Sequence, residues 1–437
     1  MIYQRQLEVR YTADVLVVGG GAAGAAAAVA AARMGKKVLL AEAQGCFGGV
    51  GTSGMVPSFA PFYDGANLLA AGIGAEIRGH VSRHIPITQA WTPIRTEELK
   101  REYDRIVTES GVEFLFFTTA ADVVVSDGHV EYVVLTSRTG LYAVKADVYI
   151  DCTGDGELVA MAGGKFSCGD ENGNTMPPTL CSLWAGVDAE DYSRTNVPAQ
   201  LERAIEDGVF TYEDRHLTGI SIREDGLGGG NIGHIFGTDP LDQRSVSDAM
   251  VWGRKSMLEY RNFYRNYVGG CRDIRLVSTA GMLGVRESRR ITCDYTLSVQ
   301  DFINRSDFDD EIGRYCYAVD IHVMNTSKAE MIRFEKEYKQ NLRYNKGESY
   351  GIPYRSLIPV SFDNVLTAGR CMGADRQMEA SIRVMPGCFI TGQAAGTAAA
   401  LAVDNRGDVR RVSPLALQHA LVSAGAYMRR ELRPRIR

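Results

Sequence analysis

The chain has 437 residues, 45% of them hydrophobic and 23% charged, with a formal net charge of −5 and a pI near 5.9. That length fits two or three interleaved domains, and the acidic balance excludes a surface built to attract nucleic-acid phosphates. Nine cysteines contain no Cys-x-x-Cys pair, which fits reduced thiols in a cytoplasm better than a disulfide framework or a structural zinc site.

Residues 14–18 (DVLVV) read as a short parallel strand buried on both faces. They lead directly into Gly19-Gly20-Gly21-Ala22-Ala23-Gly24, a Gly-x-Gly-x-x-Gly pattern. An alanine-rich helix to Met34 follows, then a stop at Gly35 and a second apolar strand over 38–41 ending on Glu42. Gly19 permits the tight strand-to-helix turn, Gly21 lets the backbone approach a pyrophosphate, and Gly24 lets helix and strand pack closely. The helix start at Ala22 and Ala23 offers free N–H groups and the positive end of the dipole to phosphates. Glu42, with Ala43 beside it, is placed to accept hydrogen bonds from adenosine ribose hydroxyls. This unit binds a dinucleotide; by itself it suits FAD or NAD. The alanine-rich stretch 22–32 is a packed helix, because a bilayer span needs roughly 20 strongly apolar residues. No tripartite secretory signal opens the chain, so a cytoplasmic location is expected.

Further along, His80 and His84 are four residues apart but lack the glutamate of a His-Glu-x-x-His zinc site, so a solvent-facing helix is expected there. A helix over 96–110 begins with Glu97 and Glu98 in its first turn. Short strands are predicted over 112–117, 121–125, 130–136 and 141–144, with hairpin turns at Gly128 and Gly140. Another strand, 148–151, ends in the turn Thr153-Gly154-Asp155-Gly156. A second glycine pattern, Gly228-x-Gly230-x-x-Gly233, has no buried strand before it and no helix after it, and reads as a flexible loop. Helices are predicted over 199–207, 245–267 and 327–338. Arg429, Arg430, Arg433, Arg435 and Arg437 read as a solvated or subunit-contacting tail.

Four segments carry a family resemblance. They are Gly45-Cys46-Phe47-Gly48-Gly49, Val148 through Gly156, Asn364-Val365-Leu366-Thr367-Ala368-Gly369-Arg370, and the small-residue stretch 381–400. With the N-terminal loop they resemble the FAD-dependent oxidoreductases of the glutathione-reductase-like superfamily, nearest the branch of fumarate reductase and succinate dehydrogenase flavoproteins. The resemblance implies an α/β fold. A Rossmann-like FAD-binding domain with a parallel sheet and a β-meander insertion would comprise residues 1–55, 96–165 and 350–437. A mixed α+β substrate or cap domain would comprise 56–95 and 166–349. It also implies that Gly48 and Gly49 pass beside an extended FAD, and that Thr153, Gly154 and Asp155 make a second contact with it. Gly369 and Arg370 would lie by the ribityl-pyrophosphate, Arg370 standing where the family often carries an acid. Met385, Gly387 and Gly392 would bring a helix start to the flavin, and covalent attachment through Cys46 stays open.

The same resemblance extends to 284–291, 317–322 and 350–359, and implies an oxidoreductase, a dehydrogenase or reductase, moving hydride between a small polar substrate and flavin N5. His322 is the first candidate acid or base, against a buried histidine satisfied by backbone. Arg286 is placed to polarise a carbonyl or alkoxide or to clamp a carboxylate, against an ion pair with Glu287. Arg383 is expected to touch flavin or substrate, and Arg289 and Arg290 to hold a domain interface. Tyr354 is a second-line acid or a packed corner. No metal ligand set is visible. The partners expected are a small-molecule substrate and an electron acceptor or donor, with a homo-oligomer left open; the acidic charge and the short apolar run argue against nucleic acid and a membrane span. The rival readings are a hydratase or isomerase whose flavin has no net redox role, and an electron-transfer subunit docking a partner.

Overall fold

The computed structural model describes residues 4–216, 219–223, 226–327 and 342–429, with 332 and 336. Strand β1 (Val9–Val18) starts in solvent and is fully covered over its last four residues, Val15, Leu16, Val17 and Val18. All four residues of β2 (Val38–Ala41) are buried as well. An apolar run without alternation demands cover on both faces, which a parallel sheet between helices supplies. The other strands of this sheet are β3 (Glu113–Leu115), β4 (Thr119–Ser126), β5 (His129–Ser137), β6 (Gly140–Asp151) and β7 (Val365–Thr367).

The parallel part runs in the order β3-β2-β1-β6-β7. Strand β6 changes partner along its length. Its first half pairs antiparallel with β5, from Ser137↔Gly140 to Val133↔Val144, and its last residues pair with β7, from Tyr149↔Val365 to Asp151↔Thr367. The predicted strands 141–144 and 148–151 are therefore one strand. Residues 113–115 leave the predicted meander and lie along β2 at the sheet edge. The turns at Gly128 and Gly140 stand as predicted, with φ of 80° and 95°.

Helix α1 (Ala22–Arg33) covers one face of the sheet and packs on helix α2 (Met385–Val403). Both are small-residue helices because their backbones touch. A Cβ on Gly392 would stand 2.1 Å from the Ala23 carbonyl oxygen, and one on Gly396 would stand 2.0 Å from that of Ala27.

A second, antiparallel sheet has the order Ile220–Ile222, Gly228–Gly230, Ser182–Ala185, Arg275–Thr279. Its existence corrects the flexible-loop reading of the second glycine pattern. Gly228, Gly229 and Gly230 are buried in a central strand, where added Cβ atoms would meet Ile220 at 2.2 Å, Pro57 at 2.3 Å and Ser182 at 2.7 Å. Those glycines make room for neighbours packed against the strand. Helix Gln243–Tyr267 covers the sheet through Met257, Tyr260, Phe263 and Tyr264 around the buried Trp184. Helix Ile73–Val81 ends before His84, so His80 and His84 share no helical face. Most of the helix predicted over 327–338 lies outside the described residues, as do Arg430, Arg433, Arg435 and Arg437; Arg429 pairs with Asp307 at 2.7 Å. Among the described residues no helix is long and apolar enough to cross a membrane.

The helix contact has a sign test. In an exposed helix, Gly→Ala stabilises by about 1 kcal/mol through propensity. Gly396→Ala places a methyl group against the Ala27 carbonyl, and overpacking of that kind costs about 1–3 kcal/mol. We expect a lower melting temperature for Gly396→Ala in a thermal melt; an increase would show that the two helices do not touch there.

Candidate active site

The register of the parallel sheet decides where chemistry can happen. Val18 lies opposite both Ala41 and Asp151, Ala41 opposite Leu115, and Asp151 opposite Thr367. All five strands therefore end at one edge, and four of them hand over there to residues singled out by the sequence: Gly19, Glu42, Thr153 and Gly369. Crevices beyond the carboxyl ends of parallel strands are where open α/β sheets bind ligands.

At this edge Gly19 turns with φ of 92°, and a side chain on it would collide with the Cys152 carbonyl oxygen at 2.5 Å. Gly24 packs on the turn itself, a Cβ there standing 1.7 Å from the Gly19 oxygen. Gly21 differs: a Cβ on it would meet nothing within 4 Å. Gly21 is also the N-cap of α1, and no side chain caps that helix start, among the described residues. Open space in front of uncapped N–H groups at Ala22 and Ala23 fits a pyrophosphate. Glu42 is buried beneath the loop, where its carboxylate accepts from Gly20 N at 2.5 Å and Gln44 N at 2.7 Å. Burial raises its pKa against those backbone bonds. Ala43 follows it into solvent. Gly48 joins the loop through its N–H to the Gly20 carbonyl at 2.8 Å, and Gly49 opens a short 3-10 turn beside it. The Cys46 thiol sits 3.2 Å from the Ser53 hydroxyl.

The turn after β6 is organised by the buried Asp151, which accepts from Thr153 N and Oγ1, at 3.1 and 2.8 Å, and from Val159 N at 3.0 Å. Arg370 lies over Gly154 and donates to Asp155 at 2.8 Å and to Ser288 Oγ at 2.6 Å. The arginine thus clamps the two strand ends through Asp155. Gly369 donates to Thr391 Oγ1 at 3.1 Å, while Met385 and Gly387 form the buried first turn of α2.

Beyond this edge stands a wall of buried ionisable groups. Arg290 donates to Glu287 at 2.8 Å and Glu379 at 3.2 Å, and Arg376 donates to Glu287 at 2.9 Å. Arg289 donates to the Asp155 carbonyl at 3.1 Å. Burial, and then the neighbouring Glu287, push the Glu379 carboxyl up to about 8. Arg286 does not pair with Glu287. Its donors reach the Pro177 carbonyl at 2.6 Å and Asn231 Oδ1 at 3.5 Å, and among the described residues no carboxylate forms an ion pair with it. Burial, helped by the charge of Arg383, lowers its pKa to about 10. Arg383 donates to the Asp320 carbonyl at 3.0 Å and carboxylate at 3.3 Å, while its buried Nε has no acceptor among the described residues.

His322 is fully enclosed, its Nδ1 2.7 Å from His234 Nε2 and its Nε2 3.4 Å from Asp320 Oδ2. Burial and the field of Arg286 hold its pKa well below the usual histidine value. His234 in turn places Nδ1 3.1 Å from Asp214, and His216 lies parallel to His322 with ring centroids 4.7 Å apart. The structure thus brings His322 and Arg383 together through Asp320. It keeps Tyr354 apart, with its hydroxyl donating to the Val409 carbonyl at 2.9 Å. His216, His234 and Asp214 escape a sequence reading, because they come from two loops, one before strand Ile220–Ile222 and one after the glycine strand, with no shared local pattern.

The family described as FAD dependent oxidoreductase matches the chain over residues 14–421. Among curated proteins none matches. Among solved structures, a geranylgeranyl bacteriochlorophyll reductase-like protein from Thermoplasma acidophilum is similar over 94% of this chain and 83% of its own, at 13% identity and a TM-score of 0.49. The flavin-dependent brominase Bmp2 is similar over the same shares at 14% identity and 0.47. The p-nitrophenol 4-monooxygenase PnpA from Pseudomonas putida DLL-E4 is similar over 98% and 92%, at 11% identity and 0.45.

The raised carboxyl of Glu379 gives a pH dependence. Its pKa rises from 4.5 to about 8 on folding, so the folded chain holds a proton that the unfolded chain releases. The associated stability is complete below about 4.5 and is lost as pH rises toward about 8. The melting temperature of the wild type, relative to Glu379→Gln, should fall between pH 5 and pH 8. Parallel melting curves across that range would mean that Glu379 titrates normally.

Proposed function

The chain belongs to the family of FAD-dependent oxidoreductases, and from that membership we propose that it oxidises or reduces a small substrate bearing a carboxylate or carbonyl oxygen. The enzyme's cofactor is FAD, which when bound supplies hydride exchange at its N5. Residues Gly19 to Gly24, Glu42, Gly48, Gly49, Thr153 to Asp155 and Gly369 are the groups that would hold it. The uncapped helix start takes the pyrophosphate and Glu42 the ribose.

The observation that carries the substrate class is Arg286. A buried guanidinium with only neutral acceptors is unfavourable unless an anion completes it. The planar fork of Arg286 matches a carboxylate or a developing alkoxide. Arg383 Nε, buried without an acceptor among the described residues, offers a second donor. Together they orient the substrate and steady charge on its oxygen. His322 offers no free ring nitrogen to a substrate, since one faces His234 and the other Asp320. Tyr354, held by Val409, takes no part.

Anaerobic mixing of the FAD-loaded enzyme with small hydroxy and amino acids should bleach the flavin absorbance for the true substrate class. Arg286→Ala should keep FAD but slow that bleaching about 10²–10³-fold, the usual cost of one donor on a developing oxyanion. Turnover without bleaching and without an electron acceptor would instead assign a hydratase or isomerase.

A further inference from the structure

We propose that His216, His234 and His322 form a binding site for a divalent first-row transition metal ion, with Asp214 and Asp320 as its outer carboxylates. One ring nitrogen from each histidine lies within 4.8 Å of the other two. The three come from separate segments: the loop before strand Ile220–Ile222, the loop after the glycine strand, and the stretch after strand Glu311–Tyr315.

The hydrogen bonds argue for the ion. A carboxylate accepts and does not donate. Asp214, 3.1 Å from His234 Nδ1, therefore puts the proton of that ring on Nδ1, and Asp320, 3.4 Å from His322 Nε2, puts the other on Nε2. The nitrogens left with lone pairs are His234 Nε2 and His322 Nδ1. These two face each other at 2.7 Å. Two lone pairs at that distance repel unless a cation joins them, either a proton shared along the N···N line or a metal ion that both nitrogens ligate. The pattern in which a metal-ligating imidazole gives its other N–H to a carboxylate is the usual outer shell of such sites, and it orients the ring. A tetrahedral ion with bonds of about 2.0–2.1 Å separates its nitrogens by about 3.3 Å. That spacing falls between the 2.7 Å pair and the 4.8 Å limit of the triad, and binding requires the His216 ring, which lies parallel to His322, to turn so that its nitrogen converges with the other two.

The charges facing the site are Asp214 and Asp320 on one side and Arg286 and Arg383 on the other, with Arg383 already bound to Asp320. Three neutral imidazoles select a transition ion such as Zn²⁺ over Mg²⁺ or Ca²⁺, which take oxygen ligands. Three protein ligands also leave a position for an oxygen donor, water or a substrate carboxylate or alkoxide. That last role rests on the reaction proposed above; the site itself does not.

The test uses the FAD-loaded enzyme, dialysed against dipicolinate and retitrated with Zn²⁺, with Co²⁺ as a spectroscopic probe. One equivalent of Zn²⁺ should bind, and Co²⁺ should give ligand-field bands at wavelengths beyond the flavin absorption. His234→Ala should lose both while keeping FAD, and Asp214→Asn should weaken Zn²⁺ binding 10–100-fold. If His234→Ala fails to retain FAD, His216→Gln on the less buried loop decides. A wild-type enzyme that binds no Zn²⁺, as two histidines sharing a proton would give, overturns the proposal. So does stoichiometric binding unchanged in the histidine variants. No substrate is needed, so failure here is distinct from failure of the reaction proposed above.

Discussion

Val18 stands opposite Ala41 on one side and Asp151 on the other, and almost everything that matters chemically follows from that register. Parallel strands in register end together, so residues more than 300 positions apart arrive at one edge. A shift of one residue would turn every side chain of β1 to the opposite face. It would also separate the Gly19 turn from the Cys152 carbonyl against which it is packed. The register is held by full burial of the strand ends and by backbone contact of α1 with α2, where any side chain at Gly392 or Gly396 would collide. Small residues thus act twice here, once to admit a phosphate and once to let two helices lock the sheet.

Electrostatics divides the wall beside that edge into two parts. Glu287, Arg290, Arg376 and Glu379 form an ion-pair network, each carboxylate meeting a guanidinium at 2.8–3.2 Å. Such a network fixes the geometry of the segment joining the two sheets. In the second part, among the described residues, Arg286 donates only to neutral acceptors, while Arg383 Nε has no acceptor. A buried guanidinium whose own hydrogen bonds go to neutral acceptors marks where an anionic ligand fits, even with Asp320 nearby. The histidine triad adjoins this second part through Asp320, which Arg383 and His322 share.

The dinucleotide unit was legible because its requirements are local. A buried strand, a glycine turn, an uncapped helix and an acid at the next strand end all fall between residues 14 and 42, and each requirement acts on consecutive backbone. The second glycine pattern misled for the same reason. Its glycines answer to Pro57, Ile220 and Trp184 from other segments, and nothing in residues 228–233 discloses those neighbours. The meander was misjudged at 113–115, where an apolar run pairs equally well in either direction until β2 lies beside it.

What the residues determined by themselves was a dinucleotide-binding strand–turn–helix, because glycine and alanine there meet steric demands that no other side chain meets; the choice of FAD and the place of the closing small-residue helix came with the family resemblance. Only the tertiary structure decided which charges pair and which stay open. Arg286 next to Glu287 in sequence looks like an ion pair, yet the chain turns it to Pro177 and Asn231. His234 and His322 meet across 88 positions, a separation at which no periodicity survives, since side-chain contact across folded segments depends on packing and not on spacing along the chain.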